Sequence, residues 1–102
     1  MSQFVKIAEK NAVPEGTGMS IDIEGKSIAL FNVGGDFHAI DNTCAHRGGP
    51  LGEGSLEDCE VICPWHGWQY NVTTGECTTN PAAKQKKYTL KVEGENILAD
   101  IS

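Results

Sequence analysis

The chain has 102 residues, with 39% hydrophobic and 22% charged residues and a formal net charge of −6. This length predicts a single domain, residues 1–102, and the composition is that of an ordinary globular protein. An acidic chain lacks the basic face that binds phosphates, so we expect no nucleic-acid partner. There is no apolar run of about 18 residues and no visible secretory signal, so we expect no membrane span and a cytoplasmic location.

Short strands separated by turns are predicted for the first forty residues. Apolar and polar residues alternate over residues 4–7 and again over 19–23, which predicts two half-buried strands. Residues 28–33 form a denser apolar run, typical of a central strand. Gly34 and Gly35 tolerate positive φ, so we expect a hairpin there that leads into a strand over residues 37–40.

The second half of the chain begins with a long loop, because the alternation stops between residues 41 and 56. Residues 60–62 and 68–70 are predicted to be short strands on either side of a second loop. Residues 88–92 show the clearest alternation, and a turn leads from them into a last strand near residues 97–101. Because no stretch has a convincing helical period, the sequence predicts an all-β fold of antiparallel strands, either a sandwich or a barrel.

The two loops each carry one cysteine and one histidine. Cys44 and His46 lie two residues apart, so in an extended segment their side chains point the same way. Cys63 and His66 can converge across a tight turn, which Pro64 favours by fixing its φ. Two thiols and two imidazoles supplied by two loops predict a metal site.

Two kinds of metal site use two cysteines and two histidines. A structural zinc ion binds all four tetrahedrally, and its ligands usually come in pairs of one type. A Rieske [2Fe–2S] centre binds cysteine on one iron and histidine on the other, which the mixed loops of this chain favour. An all-cysteine cluster on Cys44, Cys59, Cys63 and Cys77 would have 14, 3 and 13 intervening residues. Those spacings fit neither common ferredoxin pattern and leave both histidines unused.

Other candidate residues have simpler explanations. We expect Cys59 and Cys77 to be free, buried thiols, since a disulfide between them is disfavoured in a reducing cytosol. His38 lies in a strand pattern away from both loops, so we expect a surface or half-buried histidine. A small basic run is expected to be a solvated face; it comprises Lys84, Lys86 and Lys87.

Residues 44–51, CAHRGGPL, and 63–68, CPWHGW, closely resemble the two cluster-binding boxes of Rieske ferredoxins, the electron carriers of ring-hydroxylating dioxygenases. The resemblance spans nearly the whole chain. It implies a three-sheet antiparallel β-sandwich with a cluster-binding loop subdomain, about residues 42–82, at one tip. It also implies one [2Fe–2S] cluster, with Cys44 and Cys63 on the inner iron and His46 and His66 on the outer iron.

This ligand set explains why such a cluster is readily reduced. The oxidised core carries two positive charges, which two thiolates cancel and two neutral imidazoles leave unchanged. Four thiolates would instead leave the oxidised cluster with two negative charges. An electron is added more easily to a neutral centre than to an anionic one, so the resemblance implies a higher potential than that of all-cysteine ferredoxins.

Six further residues are expected to surround the cluster: Arg47, Leu51, Trp65, Trp68, Tyr70 and Pro81. Leu51 and Trp65 are predicted to shield it from water, with simple loop packing as the alternative. Arg47 has two interpretations, contact with a partner's carboxylate or bracing of its own loop. Pro81 resembles the proline loop that covers the cluster in this family.

Trp68 and Tyr70 bear on the reduction potential. Packing is the favoured role of Trp68, which occupies the place of a serine donor in respiratory Rieske proteins. Tyr70 stands where those proteins have their second donor. Loss of one donor predicts a potential in the lower part of the Rieske range of about −150 to +300 mV.

The resemblance implies an electron carrier rather than an enzyme. A flavin-dependent NAD(P)H reductase would supply one electron at a time, and a terminal oxygenase would receive it. The acidic charge suits steering toward a basic patch on a redox partner, and we expect transient contacts made by a monomer. Two alternatives are a Rieske-like small subunit of another oxidoreductase, such as an assimilatory nitrite reductase, and a structural zinc-binding interaction module.

Overall fold

The computed structural model describes residues 3–43, 50–65, 67–80 and 84–101. Across these residues the chain forms ten strands and two short 3₁₀ segments, Lys10–Ala12 and Leu51–Glu53. The strands are β1 (Phe4–Glu9), β2 (Gly18–Ile23), β3 (Lys26–Val33), β4 (Asp36–Asp41), β5 (Ser55–Glu57), β6 (Glu60–Ile62), β7 (Gln69–Asn71), β8 (Lys87–Tyr88), β9 (Leu90–Glu93) and β10 (Asn96–Asp100). None of the described residues belongs to a helix with the length and hydropathy needed to cross a membrane.

The strands form three antiparallel sheets, which confirms the predicted all-β architecture. The outer sheet has the order β1-β10-β9, the middle sheet β2-β3-β4-β8 and the small sheet β5-β6-β7. Alternate residues of β3 enter two separate cores. Ala29 and Phe31 pack in one core with residues of the small sheet, whereas Ile28 and Leu30 pack in the other with residues of the outer sheet. Burial on both faces explains the dense apolar run that predicted a central strand.

The predicted hairpin between β3 and β4 is confirmed. Gly34 and Gly35 have φ angles of 61° and 99°, which residues without a Cβ adopt at no steric cost. Asn32 is buried at the base of this hairpin, where its Oδ1 accepts the Gly35 N–H at 2.8 Å and its Nδ2 donates to the Val13 carbonyl at 2.8 Å. These bonds fix the turn at the end of the middle sheet.

The prediction of one strand over residues 88–92 is wrong, because the chain changes sheets there. Lys87–Tyr88 pairs with β4 in the middle sheet, whereas Leu90–Glu93 pairs with β10 in the outer sheet. In a single strand, residues 88 and 92 would lie on the same face, but Tyr88 is buried and Val92 is 46% exposed. Strand β5 was also missed, since three residues inside a predicted loop are too few to give a periodic signal.

The expected surface groups lie as predicted. His38 is half-buried on β4. Burial lowers the pKa of its imidazole and the positive charge of Lys87 lowers it further, whereas the Asp36 carboxylate raises it, and the net shift is downward. The basic run is exposed at Lys84, Lys86 and Lys87. The Nζ of Lys86 lies 4.9 Å from the centroid of the Tyr88 ring.

Candidate metal centre

Cys63 directly follows β6, and the structure describes the turn that holds it. Its thiol is buried, with a relative exposure of 1% for the residue. Its N–H donates to the Trp68 carbonyl at 2.7 Å, and its carbonyl accepts the Gly67 N–H at 3.0 Å. These two bonds continue the β6–β7 ladder and close a tight turn over residues 63–68. The predicted turn at the second cysteine is therefore present.

The remaining predicted ligands and two of the predicted neighbours lie outside the described residues; these are Cys44, His46, Arg47, His66 and Pro81. The flanks of residues 44–49 are described. Thr43 and Pro50 form an antiparallel bridge, and the Leu51 N–H donates to the Asn42 carbonyl at 2.8 Å. The residues that flank 44–49 on either side therefore lie next to each other, beside the end of β4.

The structure brings the bases of the two boxes into one core. Leu51 and Cys63 are both buried there, together with Val61 and Tyr70. A thiolate is the soft ligand that iron–sulfur clusters use, and apolar surroundings with little water set their potential. Cys63 at the end of β6 and Leu51 at the end of the first box share one core, which fits a cluster bound by both boxes.

The predicted neighbours differ in their exposure. Leu51 and Tyr70 are fully buried, and Trp68 is half-buried against the same core. Trp65 is instead 59% exposed, next to the exposed Pro64 in the turn. The packing role favoured for Trp68 agrees with its position, whereas the effects of these residues on a cluster remain predictions.

The two other thiols occupy different surroundings. Cys77 is buried, as predicted, and its Sγ accepts the Asn80 N–H at 3.3 Å. Cys59 is only partly buried, so the prediction of a second buried thiol is wrong. It follows the exposed turn at Asp58 and lines a groove of about 570 Å³. Both thiols are free. Among the described residues, no three His, Cys, Asp or Glu side chains converge as a further metal site.

Two buried amides beside the ends of the first box, Asn42 and Gln85, were not predicted. The side chain of each makes two or more hydrogen bonds there. Asn42 is a polar residue next to a ligand box, which does not distinguish a buried amide from a surface one, and Gln85 is distant from both boxes in the sequence.

Comparison with known proteins identifies the family to which this chain belongs. A family model for the Rieske [2Fe-2S] domain matches residues 3–94. The ferredoxin component of the naphthalene 1,2-dioxygenase system of Pseudomonas aeruginosa is 36% identical over 91 residues, covering 88% of this chain and 88% of that protein. The 3-phenylpropionate/cinnamic acid dioxygenase ferredoxin subunit of Shigella boydii is 42% identical over 91 residues, covering 87% of this chain and 85% of that protein.

A solved structure gives the same result at the level of the fold. It is the complex of reduced oxygenase and oxidised ferredoxin in carbazole 1,9a-dioxygenase, one chain of which matches with a TM-score of 0.88 at 26% identity. The match covers 95% of this chain and 92% of that chain. Since the family match spans most of the sequence, this chain belongs to the Rieske [2Fe-2S] domain family, whose cofactor is one [2Fe–2S] cluster.

Proposed function

We propose that this protein, as a monomer, carries one electron at a time from a flavin-dependent NAD(P)H reductase to a terminal oxygenase. Cys44, His46, Cys63 and His66 are the proposed ligands of its cluster, within a cluster-binding part at residues 42–82. The observation that carries the proposal is the contrast around Cys63. Its sulfur is buried, while Pro64, Trp65 and Gly67 beside it are exposed, so a redox group held here lies within a few residues of the surface.

The cluster, when bound, supplies a one-electron redox centre. The chain supplies a fixed and partly dry environment for it. Leu51 and Trp68 pack in the same core as Cys63, a position from which they would exclude water from its buried side. Two backbone hydrogen bonds, to Gly67 and Trp68, fix the main chain that carries this thiol, so we expect little rearrangement with a change of charge. These features suit a carrier that exchanges electrons without a substrate pocket.

Iron and acid-labile sulfide analysis with a visible spectrum tests the proposal. We expect two irons and two sulfides per chain, in the ratio that a [2Fe–2S] cluster requires, and a reddish-brown protein that bleaches with dithionite. His46→Cys should lower the reduction potential, because a third thiolate adds negative charge to the cluster. A colourless protein that contains zinc would support the structural alternative, and a potential unchanged by His46→Cys would mean that the ligand set is wrong.

The charge around the candidate site favours a basic partner. Residues 50–80 contain five carboxylates and neither lysine nor arginine. The carboxylates are Glu53, Glu57, Asp58, Glu60 and Glu76, of which all but Glu60 are exposed. Opposite charges steer two proteins together at a rate that falls as salt screens them, with a Debye length of about 10 Å at 0.1 M.

Raising the ionic strength from about 0.01 to 0.3 M should therefore slow electron transfer from the reductase at limiting concentrations of both proteins. Stopped-flow absorbance at the cluster band measures this rate. Reduction by a small uncharged mediator serves as the control, because its rate has no steering contribution. A reductase rate that does not depend on salt would exclude electrostatic steering.

A further inference from the structure

Two buried side-chain amides hold the ends of the first ligand box. Gln85 is 4% exposed and Asn42 is 6% exposed. The Nε2 of Gln85 donates to the carbonyl of Asp41 at 2.9 Å and also to the carbonyl of Thr43. Thr43 is the last described residue before residues 44–49, so Gln85 fixes the chain where it enters the box.

The backbone of Gln85 belongs to a different part of the molecule from its side-chain partners. Its N–H donates to the Gly75 carbonyl at 2.7 Å, beside a bridge between Glu76 and Lys84. Residues 75–77 in turn pair with β7, so this segment extends the small sheet that carries Cys63. Gln85 therefore connects the sheet that carries the second box to the entry of the first.

Asn42 fixes the other end of the box. Its carbonyl accepts the Leu51 N–H at 2.8 Å, and its Oδ1 accepts the Gly52 N–H at 2.7 Å. The same Oδ1 accepts the Ser20 hydroxyl at 3.2 Å, while Nδ2 donates to the Ser27 hydroxyl at 3.0 Å. Both Ser20 and Ser27 lie on strands of the middle sheet, so the exit of the box is attached to that sheet.

We infer that Gln85 and Asn42 are positioning residues, which set the place of the first box relative to Cys63 and thereby retain the cluster. The inference rests on the ligands proposed above. Fixing the two ends of a chain segment lowers the entropy that the segment loses when its side chains bind a cofactor. Removing the Gln85 amide leaves two carbonyls at the junction without this donor, which favours movement of the loop entry toward water.

The test compares Gln85→Met with Asn32→Leu in the cluster-loaded protein. Methionine has nearly the shape of glutamine but donates no hydrogen bond. Asn32 is the matched control, because it is also buried and its side chain also makes two hydrogen bonds to backbone groups, but at the β3–β4 hairpin. With a chelator present, Gln85→Met should lose its visible absorbance about ten- to a hundredfold faster than the wild type. Asn32→Leu should lose it at the wild-type rate.

Hydrogen exchange gives a second readout that general destabilisation does not reproduce. Peptides covering residues 41–52 should exchange faster in Gln85→Met and not in Asn32→Leu. Should Gln85→Met fail to fold, Ser27→Ala removes one partner of Asn42 and should show a smaller effect in the same direction. Equal rates of cluster loss in the amide variant and its control would overturn the inference. A wild-type protein without iron and sulfide would overturn the proposed function instead.

Discussion

Replacing Cys63 with serine should yield a colourless protein, whereas Cys77→Ser should keep the full visible absorbance. A thiolate is the ligand that iron in these clusters requires, and a serine hydroxyl remains protonated at neutral pH. The two cysteines are similarly buried. Their exposures are 1% and 3%, and both pack in the same core, so the same substitution disturbs the packing of one core in both variants. Iron and sulfide content after identical purification measures the difference.

The pair also separates the two cluster assignments. Loss of colour in both variants would revive an all-cysteine cluster that includes Cys77 and would contradict the mixed ligand set. Colour retained in Cys63→Ser would exclude Cys63 as a ligand. Cys59→Ser is a further control. This thiol is partly exposed and directly precedes β6, whereas Cys63 directly follows it.

Trp65→Ala should slow electron transfer to the oxygenase by about thirtyfold, as expected for the loss of an interface tryptophan worth about 2 kcal/mol. At 59% exposed in the turn that holds Cys63, this ring is accessible to a partner. The loss should appear at limiting ferredoxin concentration and diminish at saturation, because binding rather than chemistry is weakened. Steady-state oxygenase turnover at varied ferredoxin concentration measures it.

Val92→Ala is the control for Trp65→Ala. Val92 is another exposed apolar side chain, 46% exposed, but it lies on the outer sheet. Its replacement should leave turnover unchanged. The shielding role expected for Trp65 predicts a different outcome, in which the reduction potential changes and the rates at saturation change with it. Measuring the potential of both variants distinguishes docking from shielding.

Local patterns predicted the features of this fold that depend on neighbouring residues. The alternation over residues 19–23 and the Gly34–Gly35 turn reflect contacts within hairpins, and the apolar run of β3 reflects burial on both of its faces, so these strands and their turn were predictable. Cys63 at the end of β6 was predictable for the same reason. The change of sheet after Tyr88 was not, because periodicity records which face a residue occupies and not which sheet it joins.

Asn42 and Gln85 show which features of the site could not be predicted from the sequence. Gln85 contacts carbonyls 44 and 42 residues away in the sequence, and no local pattern specifies such a partner. The exposure of Trp65 could not be predicted either, because a tryptophan beside a proposed ligand is compatible with shielding, packing or docking. The spacing of the cysteines and histidines leads to the proposed ligands, whereas the side chains that hold the ends of the first box depend on tertiary contacts.

Strand β3 has a consequence for any attempt to shorten this protein. Its two faces serve different neighbours, so trimming away β1, β9 and β10 would expose Ile28 and Leu30, at about 1.5–3 kcal/mol for each side chain. For the two side chains together this is about 3–6 kcal/mol, a large fraction of the stability of a small domain, about 5–15 kcal/mol. We therefore expect the middle and small sheets to be unstable without β1, β9 and β10, so a shortened protein that lacks these strands should not fold.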